Sequence, residues 1–148
     1  MPEEDAIERA RDDEREGKSP STQAGEFVRE EMEHIREGEH GARSPEQAIA
    51  IGLSKARRAG VGLPPPKRGQ ARTKRQAKRD LTKGRAGRRK KPSRKRSRAT
   101  KGALKRESRR SASKKALSRH AKRAAGRRSA RSRSAAAKKA ARTRKRRR

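Results

Sequence analysis

The sequence has no cysteine, tryptophan or tyrosine, and Phe27 is its one aromatic residue. Without cysteine the chain has no disulfide, no thiolate nucleophile and no Cys-ligated zinc finger. No apolar run approaches the roughly 18 residues that a membrane-spanning helix needs. Only 26% of the residues are hydrophobic while 45% are charged, which excludes a single large hydrophobic core.

Negative charge is scarce in the second part of the chain. Residues 67–148 hold 39 Lys and Arg against two acidic residues, a net charge of +37, whereas residues 1–66 have a net charge of −5. Low hydrophobicity with a net charge of +32 over 148 residues predicts that most of the chain is disordered when free. Such a cationic segment suits a polyanion, and nucleic acid is the first candidate.

The N-terminal sequence MPEEDAIERARDDERE is acidic and lacks the apolar core of a signal peptide. We therefore expect a soluble protein of the cytoplasm. Residues 1–20 are predicted to be a frayed helix or disordered, because like charges crowd them and residues 17–20 interrupt the pattern.

Residues 22–37 carry the pattern of an amphipathic helix. A hydroxyl at Ser21 or Thr22 can cap its start, and Gly38 fits the position that ends a helix. Its apolar residues recur at helical spacing on one face: Ala24, Phe27, Val28, Met32 and Ile35.

A second helix is predicted over residues 45–59. Ser44 and Gln47 form a capping box around Pro45, and Gly60 fits the left-handed position that follows a helix. The sequence LPPP then prevents continuation. Gly52, within the apolar stripe of this helix, would let another helix approach closely.

The predicted fold class is therefore mostly disordered, with a small all-α helical hairpin and a long low-complexity basic tail. The predicted parts are the acidic segment 1–20, the hairpin 21–66 with its proline-rich end, and a disordered Lys/Arg/Ala/Ser-rich tail over 67–148. The hairpin's interaction face closes either an intramolecular core or a homo-oligomer interface, and it consists of Phe27, Val28, Met32, Ile35, Ile49 and Leu53.

Like charges four residues apart, such as Lys138 and Arg142, oppose helix formation in free solution. We therefore expect the tail to gain helix only when phosphates neutralise it. Because no aromatic residues lie among its cations, the tail is not suited to stacking on unpaired bases. It also lacks a rigid scaffold for reading base edges, so low sequence specificity is expected.

The candidate nucleic-acid-binding residues are cations of this tail and of the KARR sequence at residues 55–58. KARR has a second interpretation, since cations at the end of a helix also complement its dipole. The full set is Lys55, Arg57, Arg58, Lys67, Arg68, Arg88, Arg89, Lys90, Lys91, Arg94, Lys95, Arg96, Arg109, Arg110, Lys114, Lys115, Arg127, Arg128, Lys138, Lys139, Arg144, Lys145, Arg146, Arg147 and Arg148.

The sequence has no strong pattern of catalytic or metal-ligating residues. Glu30 and His34 share a helical face, but two ligands without a cysteine or a third nearby histidine make a weak site. No Ser, His and Asp pattern occurs in a strand-turn-helix context. The sequence therefore predicts no enzyme, no cofactor and no metal.

Two resemblances accompany these patterns. The sequences SKKALSRHAKRAA and SAAAKKAARTRKRRR make the tail similar in composition to those of linker histones and bacterial histone-like nucleoid proteins. Residues 21–66 resemble an uncharacterised bacterial family, a domain of unknown function, on the joint GEHGARS at 38–44 and the helix QAIAIGLSKARRAG at 47–60. This resemblance implies a bacterial source and a DNA-associated role.

These observations predict a non-enzymatic, nucleoid-associated protein that binds and compacts duplex DNA without sequence preference through its cationic tail. The alternatives are an RNA- or ribosome-associated basic protein and a protein-interaction adaptor that acts through the hairpin. No membrane partner is expected.

Overall fold

The fold is described by a computed structural model that covers residues 2–87 and 93–146. Over these residues it has seven α-helices and one 3-10 helix. They are α1 (Pro2–Arg15), α2 (Pro20–Glu37), α3 (Pro45–Arg58), α4 (Ala71–Arg85), α5 (Arg94–Lys105), the 3-10 helix (Arg109–Ala112), α6 (Lys114–Gly126) and α7 (Ala130–Arg146). Contacts divide the chain into a first unit, Met1–Ser113, and a second unit, Lys114–Arg148.

Helices α2 and α3 lie where the sequence predicts the two arms of a hairpin. The α2 helix ends at Gly38, which has a left-handed φ of 89° and donates its N–H to the carbonyl of His34. At the start of α3, the Ser44 hydroxyl accepts the N–H of Gln47 at 3.3 Å, and the Gln47 side chain accepts the N–H of Arg43 at 2.7 Å. These local hydrogen bonds define the joint between the two helices.

The two helices approach closely at Gly52 of α3. A Cβ atom built at this position would lie 2.7 Å from the Cα of Val28 and 3.0 Å from the carbonyl oxygen of Phe27. Contact at that distance requires a residue without a side chain. The helix that Gly52 admits is thus α2 of the same chain.

Helix α1 packs against α2 and completes the core of the first unit. Its inner face is made of small residues, with Ala6 and Ala10 0% and 4% exposed. They join the buried cluster of Ala24, Phe27, Ala56 and Val61. Arg9 of α1 also donates to the carboxylate of Glu26 at 2.8 Å. The core therefore needs three helices, since α1 covers a face that the hairpin alone would expose.

The prediction of a mostly disordered chain with a disordered basic tail is wrong. Helices α4 to α7 and the 3-10 helix all lie after residue 66. Ala, Arg, Lys and Leu are strong helix formers, and this preference outweighs the repulsion between like charges one helical turn apart. In α7 the hydroxyl of Ser129 accepts the N–H of Ser132 at 3.2 Å, and three cations in the last turn complement the helix dipole.

The part of the basic segment (residues 67–148) that ends at Ser113 attaches to the hairpin through backbone groups of the joint between α2 and α3. Gly41 donates its N–H to the carbonyl of Leu104 at 2.8 Å, and Ala42 donates to that of Ser108 at 3.1 Å. The guanidinium of Arg36 donates to the carbonyl of Ala112 at 2.9 Å. These contacts hold the end of α5 and the 3-10 helix against α2 and the joint. None of the helices described is long and apolar enough to cross a bilayer.

The contact at Gly52 leads to a prediction about stability. Gly52→Ala should lower the free energy of unfolding by about 1–3 kcal/mol, because the added methyl group forces α2 away from α3. Gly25→Ala is the matched control, since a Cβ there meets no atom within 4 Å and should stabilise α2 by up to about 1 kcal/mol. Urea denaturation followed by circular dichroism measures both. Equal effects of the two substitutions would contradict the close packing at Gly52.

Candidate nucleic-acid interface

The three cations of KARR all make contacts within the first unit. The ammonium of Lys55 lies 3.0 Å from a carboxylate oxygen of Glu31. Arg57 is 8% exposed and donates to the carbonyls of Leu63 and Pro64 at 3.1 and 3.3 Å. Burial lowers the pKa of the Arg57 guanidinium, while the charge of Asp80 acts in the opposite direction. The side chain of Arg57 holds the proline segment against α3 and does not face solvent.

The third of these cations, Arg58, pairs with Asp80 of α4. Asp80 is 1% exposed. Its carboxylate accepts hydrogen bonds from the Ser54 hydroxyl at 2.7 Å, from Arg58 Nε at 2.8 Å and from the Gln76 amide at 3.1 Å. The helix also comes close at Gly84, where a Cβ would overlap the carbonyl oxygen of Arg57. A buried carboxylate and a glycine one turn later therefore attach α4 to α3.

The hydrogen bonds to Asp80 also set its ionisation. Burial is the largest influence and raises the pKa of the carboxyl group, but the donors Ser54, Arg58 and Gln76 together outweigh it. The pKa of Asp80 in the folded protein consequently lies below its ordinary value. Folding therefore favours the charged form of this side chain.

The second acidic residue of the basic segment, Glu107, also faces the hairpin. Its carboxylate lies 3.7 Å from the guanidinium of Arg43 in the joint. A Cβ at Gly41 would overlap the carbonyl oxygen of Glu107, so the backbones touch there as well. Both acids after residue 66 are thus paired with Arg residues of the hairpin. Their position as two isolated acids among 39 cations is the signal in the sequence that indicates these contacts.

Other candidate cations of the first unit are exposed. Lys67 and Arg68 lie in the connection between α3 and α4, and the remainder lie in the first turn of α5 and in the 3-10 helix: Arg94, Lys95, Arg96, Arg109 and Arg110. The candidates Arg88, Arg89, Lys90, Lys91, Arg147 and Arg148 lie outside the described residues.

The second unit carries the most uniform charge. Residues 114–148 include 17 Lys and Arg and no Asp or Glu. Neither α6 nor α7, over the residues described, has a buried side chain. The candidate residues here are all exposed where the structure describes them: Lys114, Lys115, Arg127, Arg128, Lys138, Lys139, Arg144, Lys145 and Arg146.

Six of the eight cations of α7 lie toward one side of the helix. Arg131, Lys138, Arg142 and Lys145 are spaced by seven, four and three residues, which places them along one side. Lys139 and Arg146 widen this face, while Arg133 and Arg144 project from the opposite side. We call the set Arg131, Lys138, Lys139, Arg142, Lys145 and Arg146 the α7 stripe. From its first to its last residue it is about 22 Å long at 1.5 Å per residue.

The predicted interaction face of the hairpin is used largely inside the chain. Phe27, Met32 and Ile35 are 3%, 6% and 0% exposed. Val28, Ile49 and Leu53 are half-buried, and Leu53 packs against the cluster that includes α1. The homo-oligomer through this face stays a prediction.

Three possible metal ligands come together at the joint of the hairpin. They are Glu31 and His34 of α2 and His40 of the following loop, and their ligand atoms all lie within 4.8 Å of one another. Sequence analysis paired His34 with Glu30 instead, because these two are one helical turn apart. It missed His40, since the approach of that residue depends on the turn at Gly38.

Comparison with known proteins finds no match among family models, curated proteins or solved structures. The resemblances drawn from the sequence therefore stay predictions.

The Asp80 contact leads to a prediction about pH. A carboxyl group whose pKa is lowered by folding contributes stability above its unfolded pKa of about 3.9, and this contribution is lost as the pH falls through the folded pKa. Asp80→Asn should therefore cost about 1–3 kcal/mol at pH 7, and its difference from the unsubstituted protein should shrink below about pH 4.

Denaturant unfolding at a series of pH values measures this difference. Glu107→Gln is the control, since it removes a more exposed pair and should cost less than about 1 kcal/mol. A cost of Asp80→Asn that is the same at pH 7 and pH 3 would contradict the role of the charged carboxylate.

Proposed function

We propose that the protein binds duplex DNA without sequence preference, mainly through the exposed cations of α6 and α7. The observation that carries this proposal is the charge of residues 114–148, which include 17 Lys and Arg and no acidic residue. The exposed helices there have no carboxylate of their own unit to neutralise them. Such a surface attracts a polyanion, and the phosphates of nucleic acid are the densest common source of negative charge.

The α7 stripe fits the backbone of a duplex. A duplex carries one phosphate charge per about 1.7 Å of its axis, so the stripe's length of about 22 Å spans on the order of 13 phosphate charges. A duplex of that length therefore offers more phosphates than the six cations of the stripe can neutralise. Lys and Arg on a straight helix can follow the backbone or line a groove, with each side chain reaching a phosphate independently.

The same surface offers little for reading sequence. The stripe consists of Lys and Arg separated by Ala, Ser and Thr, and the chain has no aromatic residue after Phe27. Without aromatic side chains, stacking on unpaired bases is not available, so a duplex suits it better than a single strand. Phosphate contacts position a protein on DNA but carry no sequence information.

Compaction is part of the proposal because the first unit also carries exposed cations. Those of α5 and of the 3-10 helix lie in a different unit from the α7 stripe. A chain with cationic surfaces in two units can contact two duplexes, which brings them together. Such a role would place the protein on the nucleoid.

A charge-matched pair of variants tests the proposal. Lys138→Gln with Arg142→Gln removes two charges from the α7 stripe, while Arg133→Gln with Arg144→Gln removes two charges from the opposite face. Fluorescence anisotropy with a labelled duplex gives the affinity between about 50 and 200 mM salt. The stripe variant should lower the slope of log K against log salt by about 1.8, at about 0.9 for each lost phosphate contact. The matched variant should lower it less.

Three outcomes would contradict the proposal. A flat salt dependence of the unsubstituted protein would exclude phosphate contacts. A clear preference for one duplex over shuffled duplexes would exclude non-specific binding. Stronger binding of structured RNA in direct competition would favour the RNA-associated alternative. Circular dichroism of both variants checks that α7 is retained, so that a lost helix is not taken for a lost contact.

A further inference from the structure

The joint between α2 and α3 brings together three side chains that could each supply a ligand atom to a metal ion. Glu31 and His34 are three residues apart on α2 and therefore share a face. The left-handed turn at Gly38 then reverses the chain, so that His40 lies over the same face. The rings of His34 and His40 are 6.4 Å apart between centroids and nearly perpendicular, at 73°.

Two of these side chains are buried without hydrogen bonds. His34 is 7% exposed and Glu31 is 0% exposed. Among the residues described, the Nε2 atom of His34 and both carboxylate oxygens of Glu31 have no hydrogen-bond partner. Buried polar atoms nearly always have a partner, and leaving one without costs free energy. Each of the three residues also has a possible ligand atom within 4.8 Å of those of the other two.

The charges around Glu31 explain only part of its burial. Lys55 Nζ lies 3.0 Å from one oxygen and His40 Nε2 lies 3.2 Å from the other. These are ion-pair distances without the angles of hydrogen bonds. Lys55 comes from α3, so its contact also ties the two arms of the hairpin together.

The hydrogen bond of His40 Nδ1 determines which atom its other ring nitrogen presents to Glu31. Its Nδ1 atom lies 3.1 Å from the carbonyl oxygen of Gly41, a partner that can only accept, so Nδ1 carries the proton. In neutral imidazole the lone pair then lies on Nε2 and faces the carboxylate. Two lone pairs at 3.2 Å repel each other unless a proton or a metal ion lies between them.

We propose that Glu31, His34 and His40 bind a divalent transition-metal ion of the Zn²⁺ type. One carboxylate oxygen of Glu31, the Nε2 atom of His40 and a ring nitrogen of His34 supply three ligands, and a fourth position stays open. This donor set suits zinc and its neighbours, because imidazole nitrogen is a poor ligand for Mg²⁺ and Ca²⁺.

The geometry requires only small movements. Tetrahedral ligands at about 2.1 Å from an ion are about 3.4 Å apart, and one possible ligand atom of each residue already lies within 4.8 Å of those of the other two. Rotation of the two rings closes the remaining distance. The hydrogen bond from His40 to Gly41 and the contact from Lys55 to the second oxygen of Glu31 then orient the ligands, as partners of metal-bound His and Glu side chains commonly do.

Metal titration of the full chain tests this site. Zn²⁺ is added to metal-free protein in a buffer that does not chelate it, and isothermal calorimetry gives the stoichiometry and affinity. We expect one ion per chain and a rise in the midpoint of thermal unfolding, because the ion binds the folded state. Co²⁺ in the same site should give the visible absorption of a four- or five-coordinate ion.

The chain supplies its own matched control, since it has three histidines. His40→Ala and His34→Ala should each lower Zn²⁺ affinity by at least about tenfold and abolish the Co²⁺ absorption. His120→Ala, in the second unit, should change neither. If His34→Ala fails to fold, His40→Ala still decides the question, because the His40 side chain is 17% exposed and its loss opens less of the core.

Two results would overturn the proposal. One is the absence of a one-to-one complex. The other is a His40→Ala variant that binds Zn²⁺ as tightly as the unsubstituted protein, which would assign the binding to groups outside this cluster.

Discussion

The buried carboxylate of Asp80 is the contact on which the attachment of α4 to the hairpin depends. Residues 67–148 and 1–66 differ in charge by sign, so they attract each other at long range, but such attraction selects no register. Burial of one carboxylate does select it, because its charge is tolerated only where donors surround it. Ser54 and Arg58 provide those donors on α3, and Gln76 provides one on α4 itself.

This contact also divides the cations into two groups. Arg57 and Arg58, which end the hairpin, contact the proline segment and α4. No acidic residue follows the 3-10 helix. The second unit therefore has no Asp or Glu with which its own cations could form ion pairs. Asp80 and Glu107, the only two acids after residue 66, thus pair with Arg residues of the hairpin, whereas the second unit has no Asp or Glu to pair with its cations.

Local signals in the sequence predict local structure well. The end of α2 and the start of α3 follow from side chains that act within a few residues, namely the left-handed Gly38 and the capping box at Ser44. The start of α2 does not: the helix begins at Pro20 after Ser19, so the predicted cap at Ser21 or Thr22 is wrong. The apolar stripe with Phe27 and Leu53 is visible from its spacing alone. The covering helix α1 is harder to predict, because alanines bury little area and Ile7 is its only larger apolar residue.

The errors arise where two opposing effects had to be compared. Like charges at Lys138 and Arg142 do oppose a helix, at about 0.2–0.5 kcal/mol for each pair. The helix propensities of the alanines and cations of α7 are of similar size for each residue. Summed over the helix, they outweigh the repulsion. The approach of His40 to Glu31 is beyond any local pattern, because it results from a reversal of the chain. Asp80 was detectable as an isolated acid, but its partner Arg58 is not evident from spacing.

Preformed helices change how a cationic segment meets a polyanion. A disordered segment loses roughly 1–2 kcal/mol of backbone conformational freedom for each residue that it orders, and that loss is subtracted from every phosphate contact. In α7 the backbone is already ordered, so the stripe from Arg131 to Arg146 loses mainly side-chain freedom. Repulsion among these cations is the cost of the arrangement in the free protein. Phosphates would relieve that repulsion, and DNA binding and the stability of α7 would therefore strengthen each other.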